Sequence, residues 1–356
     1  MMQDEVVRRR RWLSQQDFLD LLGATNLIPG PNSTELAIHI GHQRAGWPGL
    51  VVAGACFILP AALIITAVAW LYTSYGSLPQ AEGLLYGVKP AIIVVVFQAL
   101  YSLAKTALKT RWLWVIGGAA VAAVALGMNE ILVLLIAGLL AVAGLRARHA
   151  GSGLRSISPP LGLLAPMLLQ GAAGAIAIKP FGLWPLFLFF AKVGSVLFGS
   201  GYVLLAFLRA DLVERWGWLT EVELLDAIAI GQVTPGPVFT TATFIGYILG
   251  GSPGAIVATI GIFLPAFLFV ALSGPLVPRI RKSPNAGAFL DGVNVASLAL
   301  MAVVTWSLGR AALTDPLTVG IAAVSAIALL RFHVNSAWLV IAGALAGLLI
   351  STVSAT

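Results

Sequence analysis

Apolar runs long enough to cross a bilayer recur along this chain, and they decide its solvent. Residues 49–72, 84–104, 186–208, 253–272 and 288–308 are the plainest. Two tighter pairs follow: 112–126 with 131–145, and 317–330 with 337–350. A hydrocarbon core about 30 Å thick asks for about 20 such residues per helix. The chain is 59% hydrophobic and 10% charged, where an ordinary soluble domain is about 25% charged. The fold class is therefore an all-α polytopic membrane protein, with the lipid bilayer as its first partner. The formal charge of +7 sits in short clusters beside apolar segments, which is the pattern of topology signals. It points to no nucleic acid. The start is no signal peptide, because "RRRRW" leads into acidic, polar sequence. The single cysteine, Cys56, allows no internal disulfide and reads as a small packing residue. No Cys/His spacing suggests a metal, and no cofactor motif is present.

The chain also matches itself. At an offset of 206, Trp12-Leu13-Ser14 falls on Trp218-Leu219-Thr220, Leu19-Asp20 on Leu225-Asp226, and Pro29-Gly30-Pro31 on Pro235-Gly236-Pro237. After one slip the offset is 205. Gly46-Trp47-Pro48-Gly49 then meets Gly251-Ser252-Pro253-Gly254, Leu59-Pro60-Ala61 meets Leu264-Pro265-Ala266, and Gly87-Val88 meets Gly292-Val293. A register sustained over so long a stretch marks a duplication. It divides the chain into an N-terminal repeat over 1–150, a linker over 151–183 and a C-terminal repeat over 184–356. The second copy opens with an apolar segment that has no counterpart in the first, so the chain is expected to begin one helix late.

Charge inverts between the copies. The loop over 73–83 lacks Lys and Arg, while its equivalent carries Arg279, Arg281 and Lys282. Lys105, Lys109 and Arg111 correspond to a loop with only Arg310 beside Asp315. Cytoplasmic loops collect positive residues, so the copies are expected to face opposite ways, as inverted-topology repeats with about 9–12 membrane segments. The central link, with Arg146, Arg148 and Arg155, is expected on the cytoplasmic side. The signs agree if each Pro-Gly-Pro segment enters and leaves on one side. A single kinked span at each motif would instead place Arg8, Arg9, Arg10 and Arg11 outside.

Proline stops a helix and suits the first position of the next, so Pro-Gly-Pro reads as stop, turn, start. Pro31 and Pro237 are expected to open new helices, with Ser33 and Thr34, or Thr240 and Thr241, in the first turn. A helix start inside the membrane presents unpaired N–H groups and a positive dipole end, which suits an anion. Asn26 and Gln232 are polar neighbours of the two motifs. A proline-kinked helix without a ligand is the plainer alternative, and the duplication in register favours a site. Lys192, inside an apolar run, is either an anion-attracting charge or a snorkelling residue. Lys89, with counterpart Asn294, follows a Gly-Val pair at an expected helix start and reads as interfacial. Glu35 and His39 share a helix face, where a local stabilising pair is a simpler reading than a proton relay. Gly199 and Gly201 permit close approach or a further break.

With these residues on the page, the sequence resembles the chromate ion transporter family. The resemblance rests on "VLFGSGYVLLAFL", "ERWGWLTEVELLDAIAIGQVTPGP", "GGSPGAIVATIGIFLPAFLF" and the echoes "RRRRWLSQQDFLDLLGATNLIPGP" and "GWPGLVVAGACFILPA". It covers essentially the whole chain, in the two-domain form, without the family's Phe-Gly-Gly-Pro first helix. It implies export of chromate, a tetrahedral dianion, across the bacterial inner membrane, driven by ion gradients or the membrane potential. It also implies anion-pathway roles for Pro29, Gly30, Pro31, Pro235, Gly236, Pro237 and the Phe198-Gly199-Ser200-Gly201 stretch. Sulfate or another oxyanion is an alternative substrate, and a truncated, non-transporting assembly partner an alternative role. A homodimer is one assembly it admits. An enzyme acting on a lipid phosphate would need an acid–base cluster, and none is evident.

Overall fold

A dipole-aligned, internally bonded helix is the only open element that satisfies its backbone in lipid, and the chain is helical throughout its described residues. The computed structural model describes residues 2–76, 79–150, 180–198, 201–281, 283–332 and 334–354. A π-helical turn, Asp4–Arg9, precedes α1 (Gln15–Thr25), α2 (Asn32–Tyr75), α3 (Pro79–Ala107), α4 (Arg111–Ala125) and α5 (Glu130–Ala150). The second half holds α6 (Leu183–Val196), the short α7 (Leu204–Phe207) continuing as a π-helix over Leu208–Arg215, and α8 (Glu221–Val233). It ends with α9 (Thr241–Arg281), α10 (Pro284–Ala312), α11 (Pro316–Phe332) and α12 (Ser336–Ser354). Among the described residues, five helices are long and apolar enough to cross a membrane: Asn32–Tyr75, Glu82–Ala107, Glu130–Ala147, Val238–Ser273 and Pro284–Ala312.

The surface confirms which solvent these helices meet. Ile256, Ile260, Leu264, Leu268 and Leu272 form an exposed i, i+4 stripe along α9, and Leu59, Leu63 and Trp70 do the same on α2. Such a continuous apolar face is an aggregation hazard in water and ordinary in lipid. Cys56 is exposed on this face of α2 rather than packed inside.

Backbone details recur between the halves. Both α2 and α9 fold sharply at one point, through Ala45 (φ −140°, ψ 20°) and Gly46 (φ 59°, ψ −141°), and through Gly250 (φ −145°, ψ 22°) and Gly251 (φ 60°, ψ −153°). Gly41 and Gly49 touch backbone to backbone across the first fold, as do Gly246 and Gly254 across the second. In a straight helix such residues stand about 12 Å apart, so each long element is a half-helix doubling back into a full one. Arg11 (φ 52°) and Gly217 (φ 63°) repeat a left-handed position just before the capped starts of α1 and α8. Ser14 accepts the Asp17 N–H at the first start, and Thr220 with Glu223 forms a capping box at the second.

Packing crosses between halves. Helix α3 lies on α11 and α12, and α10 lies on α4 and α5. The central pair α3/α10 runs antiparallel: Tyr86 bonds Asp315, a Cβ at Gly309 would touch Ile93, and Lys109 pairs with Asp291. Helices α2 and α9 also pack together, with Gly54 against Phe267 and Leu50 clustered with Ala266 and Val270.

Two expectations change. The run over 186–208 is not one span: α6 stops at Val196, Leu197 is extended (φ −79°, ψ 110°), and helix resumes at Gly201. Pro31 and Pro237 take the N-cap rather than the first helical position, because each keeps an extended ψ (104° and 136°). The linker over 151–179 and Lys282 lie outside the described residues.

Candidate functional site: two broken hairpins and two cavities

Each Pro-Gly-Pro is the apex of a hairpin. In the first, α1 descends to Thr25 and the half-helix over 32–44 returns beside it. Phe18 clusters with Leu36 and Ile40, and the Arg44 guanidinium sits 4.6 Å from the centre of the Trp12 ring. The start of α1 and the end of the half-helix are therefore neighbours. In the second, Gly231 near the end of α8 lies against Thr241 at the start of α9.

Only glycine fits the two apices. Gly30 has φ +138° and Gly236 has φ +154°, where an L side chain is strained. Space is also closed: a Cβ on Gly30 would meet Glu35 Oε1, and one on Gly236 would meet the Ala61 side chain. Each apex lies against the central helix of the other half, since Ile28 clusters with Ala266 and Gly236 faces Ala61. The Gly30 N–H donates to Leu197 O at 2.8 Å, tying the first apex to the break after α6.

Pro31 O accepts from the Thr34 and Glu35 N–H groups, and Pro237 O accepts from the Thr240 N–H and hydroxyl. Among the described residues Thr34 Oγ1, Thr241 Oγ1 and Gln232 Nε2 are buried without a hydrogen-bond partner, while Gln232 Oε1 accepts from Tyr202 at 3.1 Å. Ser33 is exposed. Asn26 accepts from Asn32 at 2.7 Å and donates to Leu22 O. Pro29 is buried, Pro235 is exposed, and Gly201 packs on Val238. Gly199 and Ser200 lie outside the described residues.

One cavity, of about 420 Å³, adjoins the first apex. Asn26 and Asn32 flank the motif there, Phe198 comes from the break after α6, and Asn294 and Ser297 come from α10. Lys109 and Asp291, paired at 2.8 Å, stand at its edge. Ser297 is 3% exposed and its hydroxyl has no partner among the described residues, although a helical serine usually bonds its own backbone. The wall thus offers amide and hydroxyl donors and a neutralised lysine, which suits hydrogen bonding to a multi-oxygen anion.

A second cavity, of about 400 Å³, is lined by Tyr72, Tyr86, Lys89, Asp226 and Thr318. It is the first cavity's counterpart by sequence register: Tyr86 corresponds to Asp291, Lys89 to Asn294 and Ala312 to Ala107. The two lie at opposite ends of the α3/α10 pair, one by Lys109 and Asp291, the other by Tyr86 and Asp315.

Several charges sit differently from their sequence readings. Lys89 is not at a helix start: α3 begins at Pro79, and Lys89, 18% exposed, pairs with Asp226. Lys192 is held by Asp211 and lies 5.3 Å from the centre of the Phe189 ring. Asp211 also binds Arg215 at 2.6 Å, and Arg215 reaches Glu130 at 2.9 Å, so the group balances its charges. Glu35 and His39 do not pair: both Glu35 oxygens are buried without a partner among the described residues, and His39 Nε2 lies 3.4 Å from Ser273 Oγ. Ser297, Asp291 and Asp226 escaped the sequence reading. For Asp226 a signal existed, since an acid falls there in register with Asp20 inside apolar surroundings.

Comparison with known proteins identifies the family. The model of the chromate transporter family matches residues 1–142 and 184–348. The chain is 34% identical to a chromate transport protein of Pseudomonas aeruginosa, over 98% of this chain and 86% of that one. It is 32% identical to a chromate transport protein of Cupriavidus metallidurans, over 96% and 85%. A probable chromate transport protein of Synechococcus elongatus is also 32% identical, over 88% and 80%. No solved structure matches. The chain is a multi-pass membrane protein and belongs to the chromate transporter family.

Proposed function

We propose that this protein is a secondary transporter that exports chromate across the bacterial inner membrane by alternating access between two inverted repeats. The observation that carries the reading is the pair of register-equivalent cavities at opposite ends of the antiparallel α3/α10 pair. An axis lying in the membrane plane relates equivalent helices that run against each other, and such an axis makes one half's cavity the other's mirror across the bilayer. The Pro-Gly-Pro segments are re-entrant hairpins in this reading, supported by the Trp12–Arg44 contact at the mouth of the first.

Orientation follows from charge. Arg44, Lys105, Lys109, Arg111 and Arg146 gather at the end where α3 finishes, and Glu130, Glu214, Glu221 and Asp315 lie towards the other. The basic end is cytoplasmic by the positive-inside rule. Chromate then enters the cavity beside Asn26, Phe198 and Ser297 and leaves through the one beside Lys89. A dianion leaving a negative-inside cell gains roughly 4–5 kcal/mol per 100 mV, so export needs no ATP.

The test is accumulation of radiolabelled chromate in chromate-sensitive bacteria expressing the chain. Lower internal chromate than in cells with empty vector is the expected result, with collapse of the membrane potential abolishing the difference. Equal chromate in both cultures, with the protein confirmed in the membrane, rejects chromate export. Sulfate shares the charge and tetrahedral shape of chromate, so excess sulfate is expected to compete.

A further inference from the structure

The Lys89–Asp226 pair lines the outer cavity, and nothing in the repeat requires it. Its register equivalents are Asn294, which lines the first cavity, and Asp20, which does not, and neither is a lysine. Lys89 is 18% exposed and Asp226 3%, with Nζ to Oδ1 at 3.0 Å. Among the described residues that oxygen has no partner besides Lys89. The other oxygen, Oδ2, accepts from the Tyr72 hydroxyl at 2.9 Å. Asp226 is thus tethered on one side by a hydroxyl of α2 and leans its free oxygen on a lysine of α3.

The geometry points to an exchange site: an oxyanion arriving in the outer cavity takes the place of Asp226 on Lys89, and Asp226 returns to Lys89 when the anion leaves. This rests on the transport reading above. The chemistry matches, since carboxylate and tetrahedral oxyanion present the same oxygen acceptors to an ammonium donor. A lysine without a counter-ion in so enclosed a place is costly, and an internal carboxylate removes that cost in the empty carrier. It also prevents trapping, because the anion must compete for Lys89 rather than meet a bare charge. Tyr72 keeps Asp226 within reach after displacement. The ligand class is a divalent tetrahedral oxyanion, and Lys89 is its contact residue.

The full chain is purified in detergent for equilibrium binding of radiolabelled chromate and reconstituted in liposomes for flux. Asp226→Asn removes the competitor and leaves Lys89 charged. Its chromate affinity is expected to rise roughly tenfold, with flux falling as release slows. The double variant Lys89→Asn with Asp226→Asn leaves no bare charge, so it folds even if the single variant does not. Its flux is expected to stay at least roughly tenfold below that of the unmodified chain. A pair that serves stability alone gives the opposite result: the neutral double variant moves chromate at the original rate. That outcome, or a folded Asp226→Asn protein with unchanged affinity, overturns the exchange site while transport stands. An unmodified chain that neither binds nor moves chromate or sulfate overturns the transport reading, and the exchange site with it.

Discussion

Replacing Gly236 by alanine tests whether the Pro-Gly-Pro apex is a tuned part or a tolerant turn. At φ +154° a residue with a side chain costs about 1–3 kcal/mol. The added Cβ also meets the Cβ of Ala61, which is fixed to a central helix and has no rotamer to give. Moving α2 aside adds overpacking strain of about 1–3 kcal/mol, so the total is roughly 2–6 kcal/mol. Gly46 is the control. Its φ of 59° with ψ −141° strains a side chain too, but among the described residues a Cβ there meets nothing within 4 Å, so Gly46→Ala carries only the backbone strain of about 1–3 kcal/mol. In apparent melting temperature, each kcal/mol is worth about 2–4 °C for a chain of this size. Thermal unfolding in detergent should therefore show Gly46→Ala a few degrees down and Gly236→Ala clearly lower. Chromate flux into liposomes, run well below both transitions, should be near normal for Gly46→Ala and at least roughly tenfold lower for Gly236→Ala. Equal flux from the two folded variants would refute the claim that this apex shapes the pathway.

Two further outcomes are expected. Asp315 accepts from the Thr318 and Leu317 N–H groups and from Tyr86, and these bonds, the Thr318 N–H foremost, hold its carboxyl below the usual range. A depressed folded value means its stabilisation is complete at neutral pH and disappears as pH falls through that value. Asp315→Asn should therefore melt lower than the unmodified protein at pH 7 and converge with it in acid, while a pH-independent gap contradicts the assignment. Arg215→Ala leaves Glu130, 7% exposed, without its cation and should cost about 3 kcal/mol. Adding Glu130→Gln should recover part of that loss, and additive losses in the melting curves would show that the two residues are not coupled.

Much of this architecture is legible in the residues because the duplication reads backbone constraints twice. Gly30 with Gly236, and Gly46 with Gly251, are positions whose positive φ favours glycine, so register exposes them. The hairpin at each Pro-Gly-Pro is harder to see, because proline patterns tell where a helix stops and not which way the chain then turns. Contacts over long sequence separations decide that, such as Gly30 N–H to Leu197 O. The charges were the least legible. Lys192 in isolation reads as either an anion-attracting charge or a snorkelling residue, and its pairing with Asp211 depends on a break after Val196 that an unbroken apolar run conceals. The start of the helix that carries Lys89 is hidden for a related reason: hydropathy locates the apolar stretch of α3, while the helix itself begins earlier, at Pro79.

The differences between the halves carry as much physical content as their likeness. The apices and sharp folds keep glycine in both copies, whereas Lys89 and Asn294, which line the two cavities at equivalent positions, diverge. A duplicated scaffold with identical charges would hold the anion equally on both sides, and a bare lysine would hold it too well. The electrical gain for a departing dianion is only about 4–5 kcal/mol per 100 mV. An unpaired ammonium at an effective dielectric of 20 attracts a single charge 4 Å away by about 4 kcal/mol, and a dianion by about twice that. Such a site would retain its cargo against the membrane potential. Pairing Lys109 with Asp291 and Lys89 with Asp226 lowers that attraction towards the scale of the driving force. A transporter of dianions is therefore expected to line its route with lysines that already have partners, and both cavities of this protein do so.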